Sequence, residues 1–192
     1  MSTDHGDVEL VDAVVVRQFA RAAVVAALMG AAAYVAIPIS AVPGTLQTLV
    51  VFLAALYLGP LWGAASMGLY LAAGAIGAPV FATGTAGPGV LVGPTAGFLW
   101  TFPVGAALAG SIVHRGRGLR DPAEVPLPLV VAALALATAV IYAAGFGWYA
   151  TVTGVGLAEA FVVVAAPLIP GDVLKLVAAV AIVRTGAIEP VE

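Results

Sequence analysis

Asp172 and Lys175 stand inside the apolar run Ile169-Pro170-Gly171-Asp172-Val173-Leu174-Lys175, and Lys175 is the only lysine of the chain. Ionisable side chains are costly in hydrocarbon and usually mark a substrate or ion site. Three residues apart on a helix, the two lie on one face, about 5 to 6 Å apart at Cβ, and can partly neutralise each other. A charged pair facing one cavity suits a polar ligand. The plainer alternative is an intrahelical ion pair with a structural role.

A second polar cluster, Thr45, Gln47 and Thr48, lies in Val42-Pro43-Gly44-Thr45-Leu46-Gln47-Thr48. The Gln47 amide both donates and accepts, which fits a neutral polar head group. Thr45 can also cap the helix that follows, and the two roles are compatible. The third candidate is the run from Pro79 through Phe81, Gly84, Thr85, Gly87 and Gly89 to Gly93-Pro94-Thr95, too apolar for an ordinary exposed loop. Irregular backbone at membrane depth is tolerated where protein buries it or where it lines a cavity, so this run reads as a lid or pocket wall. The competing reading is a flexible connector. It does not match the phosphate loop G-x-x-x-x-G-K-[ST]. Tyr34, Phe81, Phe98, Trp100, Trp148 and Tyr149 gather on the same presumed outer side, where single aromatics commonly form an interfacial belt. Glu159 is a further acidic candidate, ordinary if it sits at the interface. His5 and His114 lie apart, so no metal set forms, no cofactor is called for, and no nucleophile, base and orienter can be assembled.

The elements that must position these residues follow from composition. Of 192 residues 62% are hydrophobic and 9% charged, with mean hydropathy +1.13. A soluble domain carries roughly 25% charged residues, so an all-α integral membrane protein is expected. The charge of −3 is read as solvated tails (Asp4, Asp7, Glu9, Asp12; Glu189, Glu192), with no nucleic-acid surface. Met1 to Val16 lacks the basic-then-apolar order of a signal peptide, so the first apolar segment is expected to be kept as a span. The length leaves no room for a soluble catalytic domain beside the spans. The absence of cysteine removes thiolate and iron–sulfur chemistry.

Divided at proline, glycine and charge, the chain reads as a tail over 1–16, one six-helix membrane domain over 17–186 and a tail over 187–192. The expected helices run from Arg17 to Ile37, Leu46 to Leu58, Leu61 to Ile76, Thr95 to Val113, Leu127 to Phe146 and Gly171 to Val183, with Gly59-Pro60 as a tight turn. Re-entrant or tilted geometry is expected for the second helix and for the segment before Pro167, which are too short for a straight crossing. Arg17, Arg21, Arg115, Arg117, Arg120 and Arg184 fall at the two ends and in the loop after His114, whereas the loops around Ser40, Thr85 and Gly154 have no Lys or Arg. The positive-inside rule then puts both termini in the cytoplasm and the charge pair in the outer half of the membrane. Small residues recur every four along the first helix, Ala23, Ala27 and Ala31 on one stripe and Ala22, Ala26 and Gly30 on the next. Such stripes let helices pack closely in lipid.

With these motifs in hand, the chain resembles the BioY family, the biotin-specific substrate-capture (S) component of energy-coupling-factor (ECF) vitamin transporters. Val42-Pro43-x-Thr45-Leu46-Gln47-Thr48-Leu49, Gly77-x-Pro79-Val80-Phe81-Ala82 through Gly93-Pro94-Thr95-x-Gly97-Phe98, and Pro170-Gly171-Asp172-x-x-Lys175 carry the resemblance, in family order over nearly the whole chain. It implies a non-enzymic, six-helix protein of the cell membrane that encloses biotin on the outer side, beneath the helix 1/2 and helix 3/4 loops. Asp172 and Lys175 match the family's functional pair, and Ala23 and Ala27 match the docking stripe for the ECF transmembrane coupling protein, which acts with ATPase subunits. Many family members have an arginine near Thr85; this chain does not, which leaves Lys175 as the intramembrane cation for a biotin carboxylate. The substrate-facing candidates are then Asp172, Lys175, Gln47, Thr45, Thr48, Phe81, Gly84, Thr85, Gly93 and Tyr149. Other readings stay open: another vitamin or small carboxylate on the same scaffold, a solitary secondary biotin transporter, a lipid-metabolising membrane enzyme, or a structural subunit. Whether the chain works alone, as a homo-oligomer or only with an ATPase module is not fixed by sequence.

Overall fold

The computed structural model describes residues 12–115 and 118–186. The tail charges at Asp4, Asp7, Glu9, Glu189 and Glu192, His5, and Arg117 of the basic loop lie outside the described residues.

Helix α1 runs Ala13–Tyr34 and starts where the Asp12 carboxylate accepts the Val14 N–H at 3.0 Å, an N-cap. It therefore begins four residues before the expected Arg17. Its C-terminal end also falls short of Ile37, because Ala36–Ile37 (β1) instead pairs antiparallel with Gly44–Thr45 (β2) in a two-residue ladder. That ladder closes the loop between α1 and the next helix. Of the two small-residue stripes, Ala22 and Gly30 are buried while Ala23, Ala27 and Ala31 face outward.

Helix α2, Gln47–Ala75, is a hairpin of two arms, 47–58 and 60–75, broken at Gly59 (φ 72°, ψ −171°) ahead of Pro60. A Cβ on Gly63 would stand 2.9 Å from the Ala54 carbonyl oxygen. In a continuous helix nine residues would separate these positions by about 13.5 Å, so the chain doubles back, as the Gly59-Pro60 pair predicts. A left-handed φ at Gly59 has no Cβ to oppose it, and a Cβ there would lie 2.4 Å from Leu119. Counting both arms, the bundle has the six membrane helices expected, although among the described residues five continuous elements are long and apolar enough to cross.

Helix α3 spans Ala96–His114, and α4 spans Leu127–Thr153. The Gly/Trp/Tyr stretch after Phe146 is thus helical, not a break. The last crossing, Leu157–Arg184, is one helical run made of α5 (Leu157–Ala160), a π turn (Phe161–Ala165), a 3-10 turn (Ala166–Leu168) and α6 (Ile169–Arg184). Pro167 does not end it. The missing N–H is absorbed by the change from wide to tight winding, a common site of functional irregularity.

Two cores fill the bundle. One end is solid: Phe52, Leu56, Val113, Val130, Leu134, Ala179 and Val183 pack together. There the buried His114 Nε2–H donates to the Ala55 carbonyl (3.1 Å) and its Nδ1 accepts the Arg120 N–H (3.1 Å). The Arg184 guanidinium donates to the Ala123 and Val125 carbonyls. The hairpin turn, the α3–α4 loop and the end of α6 therefore share this end. The other core, with Met29, Tyr70, Phe81, Phe98, Phe102, Ile141 and Leu168, surrounds a hollow.

Candidate functional site

The hollow is a cavity of about 390 Å³ at the end opposite the arginines. It is walled by the β1–β2 loop, the start of α2, the 77–95 segment, α3, α4 and the head of α6. Its floor and sides are apolar: Phe81, Phe98, Leu99, Phe102, Ile141 and Leu168.

At one wall the Lys175 ammonium donates to Asp172 Oδ1 (2.5 Å) and the Tyr142 hydroxyl donates to Oδ2 (2.6 Å). Asp172 is 5% exposed and Lys175 14%, so the pair is largely buried; both line the cavity, and Asp172 also lines a small crevice. A buried carboxylate needs such partners, and each has been supplied from a helix: Lys175 from the next turn, Tyr142 from α4.

Elsewhere on the lining the Thr45 hydroxyl donates to Gln47 Oε1 (2.8 Å) while Gln47 Nε2 donates to the Tyr70 hydroxyl (2.6 Å). Thr45 Oγ1 also accepts the Gln47 backbone N–H at 3.3 Å. The N-cap of α2 is Leu46, without a side-chain cap, so Thr45 meets the first helical N–H from one residue before the cap. The amide is held between two partners and keeps its second N–H and a further oxygen lone pair for a ligand.

The 77–95 segment covers the cavity, with short 3-10 turns at Ala82–Gly84 and Pro88–Val92. Phe81 anchors it: 1% exposed, the ring stands edge-on to Tyr70 at 5.4 Å. Three aromatic donors pin its ends, Tyr34 to the Pro79 carbonyl (2.5 Å), Trp100 to Leu91 (2.8 Å) and Trp148 to Gly93 (2.9 Å). Between the pins, Thr83 has φ 60°, a costly conformation for a β-branched residue and one that clusters at ligand clamps. Thr83 lines the cavity.

Of the residues picked out in sequence, Thr45, Gln47, Thr48, Phe81, Thr85, Gly93, Asp172 and Lys175 line this one cavity. Gly84 and Tyr149 do not. Gly84 turns away, so that a Cβ on it would meet the Tyr34 ring at 3.3 Å, and Tyr149 packs against the outside of the core. Glu159 is exposed on α5. Tyr142, Tyr70, Phe102 and Thr83 were not picked out; their partners lie on other elements. The usable signal for Tyr142 is a phenol in mid-span, whose hydroxyl must find a partner away from water. Among the described residues no group of three or more His, Asp or Glu comes together as a metal site.

Comparison with known proteins settles the family. The model of the BioY family matches residues 3–189. The chain belongs to the BioY family. Among relatives of this BioY-family chain, a biotin transporter BioY of Thermotoga maritima is 41% identical over 99 residues, 52% of this chain and 59% of that one. A probable biotin transporter BioY of Pyrococcus horikoshii is 36% identical over 81% of this chain and 87% of its own. A biotin transporter BioY of Rhodobacter capsulatus is 39% identical over 83% and 87%. A crystal structure of the S-component for biotin from an ECF-type ABC transporter superposes with a TM-score of 0.80 over 92% of this chain and 93% of that one, at 23% identity. The BioY-family fold is therefore an S-component fold, with six membrane helices once the α2 hairpin is counted as two.

Proposed function

We propose that this chain is the high-affinity biotin-capture component of a vitamin uptake transporter, energised by separate coupling and ATPase subunits. The observation that carries the reading is the cavity itself: one hollow lined by a fixed amide, an ammonium–carboxylate pair and aromatic side chains. Biotin has the complementary parts. Its ureido ring needs donors and acceptors, its bicycle and valeryl chain need apolar walls, and its carboxylate needs a cation. Gln47 is assigned to the ureido ring, Lys175, held by Asp172, to the carboxylate, and Phe81, Phe98 and Phe102 to the apolar body. Thr45 and Tyr70 orient Gln47, and Tyr142 orients Asp172. Thr48, Thr83, Thr85 and Gly93 close the site from the cover and the mouth of α2.

The cavity faces outward and the arginine-bearing end, with both termini, faces the cytoplasm. The protein is assigned to the cell membrane. The outward stripe Ala23, Ala27 is assigned to the coupling protein. The relatives' names, biotin transporters from several organisms, support the choice of ligand.

Titration calorimetry on the detergent-purified chain tests the assignment. Biotin is expected to give heat and to raise the melting temperature, as a ligand of the folded state must. Neither effect with biotin, and both with another vitamin, moves the assignment to that vitamin.

A further inference from the structure

Two arginines of α1 have no counter-charge among the described residues. Arg17 is exposed and Arg21 half-buried, four residues apart on one side of the helix, a spacing at which like charges repel. Asp12, the described acid nearest to them in the chain, spends its carboxylate on the Val14 N–H. Among the described residues Lys175 and Asp172 form the one ion pair, so neither arginine has an acidic partner. Nor is Arg21 satisfied from within its own helix. Its Nη1 is buried without a hydrogen-bond partner, and so is Oε1 of Gln18, the acceptor three residues before it. The other described arginines are provided for: Arg184 donates to the Ala123 and Val125 carbonyls, and Arg115 and Arg120 share a polar hollow with Asp121 and Glu124.

Depth sharpens the demand. At a rise of 1.5 Å per residue, Arg21 lies about 20 Å and Arg17 about 26 Å along α1 from Tyr34 at its far end. Both distances fall short of a hydrocarbon core about 30 Å thick. Around them Val16, Phe19 and Val24 are exposed, as residues that face lipid are. A guanidinium at that depth is costly until its head reaches polar groups along the membrane surface. The acceptors there are lipid phosphates, and the guanidinium fork matches a phosphate in bidentate geometry.

We propose that Arg17 and Arg21 together hold the phosphate of one anionic phospholipid at the arginine-bearing end of α1. The lipid must be anionic, since a zwitterionic headgroup would bring a further cation to a place that already has two. The site is separate from the cavity and does not rest on the identity of the cavity's ligand.

Native mass spectrometry of the full chain, in detergent with equal amounts of phosphatidylglycerol and phosphatidylcholine, counts the lipids retained. One phosphatidylglycerol per chain is expected in preference to phosphatidylcholine, with retention falling as salt is raised. Arg17→Gln and Arg21→Gln are each expected to weaken phosphatidylglycerol about fivefold, and the double variant by their product, with phosphatidylcholine retention unchanged. Arg17→Lys with Arg21→Lys keeps the charge but loses the fork, and should fall between. Equal retention of the two lipids overturns the inference and gives the counter-charge to the tail acids Asp4, Asp7 and Glu9 or to a partner protein. A preference that survives the double Gln variant, or that is lost instead in Arg115→Gln with Arg120→Gln, also overturns it, because the lipid then sits elsewhere. Displacement of the lipid by inorganic phosphate at equal concentration marks a site for a soluble anion and removes the lipid assignment. The comparison of the two lipids uses the unaltered protein, so the test holds even where the double variant fails to fold.

Discussion

Lys175 is asked to do two things at once, to neutralise Asp172 inside the membrane and to meet a ligand carboxylate. Lys175→Met should therefore weaken biotin by about 10- to 100-fold, the range expected for losing a charge-assisted hydrogen bond. The methyl ester should lose much less, and equal losses for the two ligands would make Lys175 a structural residue only. Tyr142 donates to the same carboxylate from another helix. Tyr142→Phe keeps the ring and deletes that donor, which should cost about 3- to 10-fold in biotin affinity. In an Asp172→Asn background the same change should add little, because the partner it positions is gone; equal costs in both backgrounds would mean the hydroxyl serves packing alone. The charged pair was legible in sequence because a carboxylate and a lone lysine three residues apart stand out in an apolar run. Tyr142 was not, since it is joined to Asp172 across 30 residues of chain and no local spacing announces the contact. Gly84 and Tyr149 were misplaced for a related reason: sequence put them in the right loop and at the right depth, but a side chain's direction is set by local φ and by helix rotation.

Helix-scale features hold the site open. The α2 hairpin brings 60–75, with Tyr70, alongside 47–58, with Gln47, and it closes on glycines that admit backbone to backbone. A Cβ on Gly110 would lie 2.7 Å from the Pro60 nitrogen. Gly110→Val should lower stability by about 1 to 3 kcal/mol, seen as a reduced melting temperature, because rigid backbone cannot give way as a side chain would. An unchanged melting temperature would show that the turn moves freely. The cover is pinned by indole donors, so Trp148→Phe should free the Gly93 carbonyl and speed biotin release several-fold, with a smaller change in association rate. Release kinetics by ligand chase check this. Gly59-Pro60 was readable as a turn because only the two residue types together both favour and require one. The start of α1 was missed because Arg17 looked like a membrane boundary, whereas a long side chain can lie along an apolar surface and reach polar surroundings. The break expected after Phe146 did not occur: Gly145 is where Phe98 of α3 seats, 2.3 Å from a notional Cβ, so that glycine serves helix contact and not chain reversal. Pro167 likewise marks a change of winding, not an end.

At the level of the whole molecule the two ends differ in kind, a solid, arginine-bearing end and a hollow, uncharged-loop end around a neutral polar pair. Composition alone made the membrane class readable, and the arginine distribution made the orientation an expectation. The enclosure was not readable, since it depends on how six helices pack. Ala23 and Ala27 face outward on α1, away from the cavity. Ala23→Leu or Ala27→Leu should therefore leave biotin affinity within about twofold while lowering uptake at least tenfold, as expected when bulk is added to a close helix–helix contact in lipid; normal uptake by both variants would assign the stripe to lipid. The capture role itself is tested most directly in sealed vesicles with labelled biotin. The account predicts that the isolated chain binds biotin but accumulates none against a gradient, and that accumulation appears only with the coupling protein, its ATPases and ATP on their side. Accumulation by the chain alone, driven by a proton gradient with no ATPase present, would contradict it and make the protein a secondary transporter.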